Sequence, residues 1–157
     1  MSDSGLAAMS RELLIGDLKA AAGAWVSGRL LGERLAVSRS AVWKQVCALK
    51  EEGYVIESSP RKGYRLRGLP DRLLIREIRD GLATRVLGRR EARYERRTDS
   101  TNRIAKELAV QGAPEGTLAV AEEQTNGRGR MERSWFSPPL QGIYASLILR
   151  PAIPPHE

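Results

Sequence analysis

Ser38-Arg39-Ser40-Ala41-Val42-Trp43-Lys44-Gln45-Val46-Cys47-Ala48-Leu49-Lys50 opens on a residue able to cap a helix and continues with Val42, Val46 and Leu49 at i, i+4 and i+7. That spacing puts the three apolar residues on one helical face and predicts a helix from Ser38 to about Glu52. The other side carries Arg39, Ser40, Trp43 and Lys44, with Gln45 at its margin. One face is suited to a core and the other is left to touch something.

Upstream, Leu13, Leu14, Leu18 and Ala21 or Ala22 recur at helical spacing from Ser10 to Ala22, with Ser10 read as the N-cap and Gly23 as the stop. Ser27 to Leu35 reads as a second short helix burying Leu31 and Leu35. Both are too short to stand alone. Downstream, Tyr54 to Glu57 and Tyr64 to Leu66 read as strands joined by Ser58-Ser59-Pro60-Arg61-Lys62-Gly63, in which Pro60 and Gly63 punctuate a turn tipped by Arg61 and Lys62.

Three helices and a basic-tipped hairpin, in that order, make a winged helix-turn-helix. In this architecture the third helix enters the major groove with its N-terminal residues nearest the base edges, and the wing reaches backbone phosphates. Ser38, Arg39, Ser40, Trp43, Lys44, Arg61 and Lys62 are therefore the candidate contacts to double-stranded DNA. Arg39 can read guanine or hold a phosphate, Lys44 suits a phosphate, and Ser40 suits either. The same charges would also serve as a solvated face on a protein-interaction module. Residues 1–70 hold 11 Lys or Arg against 7 Asp or Glu, so the DNA reading rests on element order more than on charge.

Across all 157 residues, 41% hydrophobic and 29% charged residues fit a soluble globular protein. A net charge of +7 favours an anionic partner. Cys47 is the only cysteine, which excludes an internal disulfide or a cysteine-cluster metal site and suggests a reducing compartment. No leader-like start and no apolar run of spanning length occurs, so the expectation is a cytoplasmic protein without a membrane.

Arg67-Gly68-Leu69-Pro70-Asp71 reads as a hinge. The expected organisation is a DNA-binding domain over 1–66, a linker over 67–72 and a second domain over 73–157. In the second half, helices are expected over Leu73 to Leu82 and Asn102 to Gln111, with strands around Val86 to Tyr94, Thr117 to Glu123 and Ile143 to Arg150. Thr98-Asp99-Ser100-Thr101-Asn102 then sits at a helix N-terminus, where hydroxyls serve equally as caps or as ligands for a small polar molecule.

Between the last two strands lies Gln124-Thr-Asn-Gly-Arg-Gly-Arg-Met-Glu-Arg-Ser-Trp-Phe-Ser-Pro138, read as a mobile cationic loop. Gly127 and Gly129 let an anion approach main-chain N–H groups, Arg128, Arg130 and Arg133 can neutralise it, and Trp135 offers a flat face for a purine. No Gly-Lys-Ser or Gly-Lys-Thr follows, so this is not a Walker A loop. Taken alone, Gly-Arg-Gly-Arg fits an RNA-binding segment or a surface loop equally well.

In order, Asp-Ser-Thr-Asn at 99–102, Glu-Glu-Gln-Thr-Asn-Gly-Arg-Gly-Arg at 122–130, Trp-Phe-Ser-Pro at 135–138, Gly-Ile-Tyr-Ala-Ser at 142–146 and Arg-Pro at 150–151 resemble the biotin protein ligase family. With the winged helix, the resemblance is to its bifunctional bacterial branch, biotin operon repressors that also ligate biotin. It implies an α+β fold, a winged helix-turn-helix followed by the first part of a mixed α/β catalytic domain. The implied activity is activation of biotin with ATP and Mg2+ to biotinyl-5'-AMP, which is both intermediate and corepressor. Transfer to a lysine of a biotin carboxyl carrier protein then follows.

The implied partners are operator DNA, the carrier protein and a second copy meeting through the central domain; the oligomeric state stays open at this point. Carried onto matching positions, Ser100, Thr101 and Gln124 would bind the biotin ureido group. Gly127, Arg128, Gly129 and Arg130 would close over biotin and phosphate, with Arg128 and Arg130 as the catalytic cations, and Trp135 would pack on adenine. Asn126 stands where the family usually has Ala, Glu132 interrupts its Gly-Arg-Gly-Arg-x-Gly-Arg pattern, and Leu140 holds a position often taken by Gly. The family's Lys-Trp-Pro-Asn-Asp motif does not occur in the 157 residues. The expectation is a C-terminally truncated member, inactive or very weak alone; its alternative is a DNA-binding regulator with an inactive ligase portion.

Overall fold

A computed structural model describes residues 3–129, 131 and 133–152. The chain divides into two compact units, Met1–Asp71 and Arg72–Glu157.

In the first unit, helices α1 (Asp3–Ala20), α2 (Gly28–Leu35) and α3 (Arg39–Glu51) precede the antiparallel hairpin β1 (Val55–Ser59) and β2 (Gly63–Gly68). Leu14, Leu18, Leu31, Val42 and Leu49 are fully buried and Val46 nearly so, which joins the three helices through one apolar core. Ser27 caps α2 by accepting from Leu30 N, and Ser38 caps α3 by accepting from Ala41 N. Leu35 is only half-buried, so Leu31 carries the core face of α2.

Three expectations change here. Ser10 is not an N-cap: it lies inside α1, which runs back to Asp3 because Leu6-Ala7-Ala8-Met9 are strong helix formers that need no cap at position 10. Gln45 turns inward and accepts from Arg11 Nε at 3.1 Å, while Arg11 also pairs with Glu52 at 2.7 Å, tying α1 to α3. Arg67 and Gly68, expected in the linker, complete β2, where Arg67 pairs with Glu57.

In the second unit, α4 (Ile75–Gly81) leads to a three-stranded sheet ordered β3-β4-β7, from β3 (Ala92–Glu95), β4 (Leu118–Ala121) and β7 (Tyr144–Leu147). β3 and β4 run parallel and so need a crossover, which α5 (Thr101–Val110) supplies; β7 is antiparallel to β4. Ala105, with Ile104, Leu108 and Ala109, packs on Ala113, Ala119 and Ile148. Arg150 donates to the carbonyls of Ala109 and Ala113 and so closes the C-terminal end of α5. The buried Glu122 carboxylate accepts from Leu73 N and from the Tyr94 hydroxyl; burial, then that negative charge, pushes the Tyr94 pKa up.

The strand expected from Val86 is confined to β3. Gly88 takes φ +73, and Arg89 donates to the carbonyls of Thr84 and Leu82, which makes 84–89 a bonded turn. The loop expected over 124–138 is a second hairpin, β5 (Gln124–Arg128) with β6 (Ser134–Ser137), in its own two-stranded sheet. Gly127 faces Trp135 across it, and a Cβ at Gly127 would stand 2.6 Å from Ser137 Oγ and 2.7 Å from Trp135 O. Only glycine fits that close approach.

Candidate functional site

The exposed side of α3 and the wing form one face of the first unit. Arg39 and Trp43, one helical turn apart, line an open cleft of about 690 Å³ together with Ser58, Pro60 and Arg61 of the wing. Ser27, Gly28 and Arg29 at the start of α2, and Tyr64 of β2, also line it. Trp43 is 58% exposed, unusual for so large an apolar side chain and consistent with a surface that meets something. Ser38 is occupied by its cap and by a 2.9 Å hydrogen bond to Ser40 Oγ. Lys44 is exposed on α3 outside the cleft lining, and Lys62 lies 5.8 Å from the Trp25 ring. The sequence reading missed Arg29 and Tyr64, which belong to other elements and reach this face only through folding.

The second unit holds an open cleft of about 470 Å³ at the start of α5, between the β5–β6 hairpin and β7. Ser100, Thr101, Gln124, Arg128 and Trp135, drawn from three separated stretches, all line it. Gly127 and Gly129 lie in the hairpin outside the lining; Gly129 N donates to Arg133 O at 2.7 Å. Arg130 and Glu132 lie outside the described residues. Asn102, Arg103, Lys106, Asn126, Tyr144 and Ser146 also line the cleft and carried no assigned role from the sequence. A signal existed for Tyr144 and Ser146, which fall in the Gly-Ile-Tyr-Ala-Ser run.

Thr101 is buried and committed. Its backbone N–H and its hydroxyl both donate to Gln124 Oε1, at 2.8 and 3.1 Å, and its oxygen lies 3.0 Å from Ser146 Oγ. Gln124 Nε2 donates to Ser137 Oγ at 3.3 Å, which leaves its second N–H for the cleft. Ser100 is the N-cap residue of α5, yet its side chain makes no capping bond. Asp99, one position earlier, accepts from Ser100 N at 2.7 Å and from the Thr98 hydroxyl at 3.1 Å. Its other oxygen pairs with Arg103, which also pairs with Glu107. The Arg103 guanidinium, with the Ser100 and Thr98 donors, holds the Asp99 carboxyl far below the usual carboxylate range. Ser100 lines the cleft with a hydroxyl that caps nothing, which leaves it open to a ligand.

Leu140 adopts φ +58, a conformation glycine enters far more readily. The departure noted in the sequence therefore falls on a position with a backbone reason for glycine. Trp135 is 63% exposed and presents a face at the cleft edge, while Phe136 points into solvent at 86%.

Residues 11–65 match an HTH domain family, and residues 94–156 match the Biotin/lipoate A/B protein ligase family. The chain is 50% identical over 130 residues to the bifunctional ligase/repressor BirA of Bacillus spizizenii, and 49% identical over 130 residues to that of Bacillus subtilis. Each alignment takes in 83% of this chain. The chain thus joins a match to an HTH domain with a match to part of a biotin/lipoate protein ligase domain. Its winged helix and its mixed helix-and-strand second unit fit the repressor-bearing branch, to which the BirA of Escherichia coli, 34% identical over 131 residues and 82% of this chain, adds a more distant relative. The chain spans about 40% of the length of the Bacillus relatives and 38% of that from Escherichia coli. Among the described residues, no helix is long and apolar enough to cross a membrane.

Proposed function

We propose that the chain carries the operator-binding unit and part of the active site of a bifunctional biotin–protein ligase and biotin operon repressor, working in the cytoplasm. One observation carries the reading: a single cleft gathers Ser100, Thr101, Gln124, Arg128 and Trp135 in a chain that also presents a winged helix-turn-helix. The Ser100 hydroxyl and the remaining Gln124 N–H supply a donor-acceptor pair for the ureido ring of biotin. Arg128 offers positive charge where the biotin carboxylate meets the α-phosphate, and Trp135 offers a flat face to adenine.

In adenylation a carboxylate oxygen of biotin bonds to the α-phosphorus of ATP and pyrophosphate leaves. Attack by a carrier-protein lysine on the acyl carbon then releases AMP. Magnesium enters with the ATP phosphates as part of the substrate; among the described residues no three His, Cys, Asp or Glu converge to hold it. Biotinyl-5'-AMP would serve as corepressor, and a second copy would join through the central domain.

Calorimetry of the chain with biotin tests the cleft. Saturable binding that Ser100→Ala weakens by about tenfold is expected from loss of one hydrogen bond to a buried polar ring; no heat with the unmodified chain overturns the assignment. Biotin-dependent pyrophosphate exchange by these 157 residues is expected to be absent or very weak without the Lys-Trp-Pro-Asn-Asp motif. Robust exchange would show that the cleft suffices. For the first unit, a duplex selected by the chain from a random-sequence pool should lose about tenfold or more in affinity on Arg39→Ala, within the range of one base or phosphate contact. Unchanged affinity removes Arg39 from the interface.

A further inference from the structure

Beneath the wing, one aromatic ring collects two of the wing's cations. The Arg65 guanidinium stands 4.6 Å from the centre of the Trp25 ring, and the Lys62 ammonium stands 5.8 Å from it. Trp25 belongs to neither a helix nor the hairpin; it sits in the connection between α1 and α2. That connection is itself part of the wing. Val26 N donates to Tyr64 O at 2.8 Å and Tyr64 N to Val26 O at 2.9 Å, a two-way antiparallel bridge that lays residue 26 beside β2. The approach is close enough that a Cβ at Gly63 would stand 2.1 Å from Val26 O.

The two cations under this ring are not equivalent. Arg65 is doubly committed, to the ring and to the Glu57 carboxylate, which also pairs with Arg67. Lys62 has the ring alone among its described side-chain contacts. A cation over an aromatic face keeps its N–H donors free, so such a contact fixes position without consuming hydrogen-bonding capacity. A lysine at a hairpin tip otherwise spreads over many rotamers, and ordering it on binding costs free energy.

We propose that Trp25 is a positioning residue for DNA recognition: it holds the Lys62 ammonium in place at the wing so that a backbone phosphate meets a preset charge. This rests on the DNA-binding reading above. Trp25 itself touches no DNA. Arg65, held between ring and carboxylate, serves as the strut that keeps the ring in place, and phosphate contact falls to Lys62 and Arg61.

The test uses the full chain and the duplex it selects, with a scrambled duplex alongside, and compares Trp25→Phe with Trp25→Leu; both keep an apolar filler, and only the first keeps a π face. Trp25→Leu is expected to weaken binding to both duplexes by roughly three- to tenfold, the range of one cation–π contact. The salt slope of log affinity should fall toward that of Lys62→Ala, by up to about one released counterion. Trp25→Phe should stay near the unmodified chain. In Trp25→Leu/Lys62→Ala the two losses should not add, because the ring acts through Lys62.

Additive losses, or equal behaviour of the Phe and Leu variants while circular dichroism shows both folded, overturn the proposal. If Trp25→Leu fails to fold, Trp25→Phe against Trp25→Tyr in the Lys62→Ala background still decides it: any affinity difference between them there removes Lys62 as the intermediary. An unmodified chain that binds no duplex removes the DNA reading itself, a result distinct from variants that fail to differ.

Discussion

In the first unit, the residues that hold the fold and those proposed to meet a ligand are separate sets. Leu14, Leu18, Leu31, Val42 and Leu49 are fully buried, whereas Arg39, Trp43, Lys44 and Arg61 are exposed. In the second unit the sets overlap: Thr101, Gln124 and Ser146 line the cleft and are also the hydrogen-bonded joint between α5, β5 and β7. Its apolar core is made largely of alanines with Ile148, so polar bonds carry a larger share of the structure. The contrast teaches that binding and stability can be varied separately in the first unit and only jointly in much of the second.

The largest expected effect tests the first half of that contrast. Leu49→Ala empties a fully buried site and should cost about 2–5 kcal/mol in urea unfolding. Arg39→Ala should leave the unfolding midpoint within about 0.5 kcal/mol while DNA affinity drops. A midpoint that falls with Arg39 breaks the separation.

Next in size is Gly127→Ala, whose added methyl meets Ser137 Oγ and Trp135 O at under 3 Å. Overpacking of this kind should displace β5 from β6 and lower biotin affinity by about tenfold or more in calorimetry. Gly129→Ala is the control, because its nearest contact would be 3.4 Å from Arg133 O. Equal losses at both positions would mean that hairpin geometry is not what matters.

A smaller pair of changes sits on adjacent residues. Thr101→Val leaves Gln124 Oε1 with one donor in place of two and Ser146 without its partner, and should cost about 1–3 kcal/mol of stability along with ligand affinity. Ser100→Ala should lower biotin affinity with a stability change inside about 0.5 kcal/mol, since that hydroxyl caps nothing. If the two behave alike, fold and site are not divided between neighbouring residues in this way.

The smallest effect is a pH dependence. Asp99 is depressed from its ordinary value of 3.8, so its contribution is present above that value and is lost as pH falls below it. Urea midpoints of the unmodified chain and Asp99→Asn should therefore differ slightly at neutral pH and converge in acid. Because Asp99 and Arg103 are solvent-exposed enough for water to screen them, the neutral difference is small. A gap that widens in acid would contradict the depressed carboxyl.

The sequence spelled out α3 almost residue by residue, because Ser38 caps and Val42, Val46 and Leu49 repeat on one face. It misplaced the start of α1, because a serine that can cap need not do so when good helix formers precede it. Residues 124–138 looked like a loop: Gly, Asn and Arg carry no alternation, and the pairing of β5 with β6 depends on a steric fit at Gly127 that no propensity scale records. For the site, the motifs brought five residues to one cleft but not their division of labour. That Thr101 is spent on Gln124 and that the Ser100 side chain makes no capping bond are facts of hydrogen-bond geometry.

The bridge between Val26 and Tyr64 also bears on the order in which this chain folds. The two residues lie about forty positions apart, and closing so large a loop gains nothing until other contacts reward it. Helices α1 to α3 can begin locally, and β1–β2 can turn back on itself, but the wing gains its third segment only after helix packing has delivered residue 26. A chain caught midway in refolding would therefore show near-native helicity in circular dichroism before the wing has set, with helix formation preceding DNA competence in time.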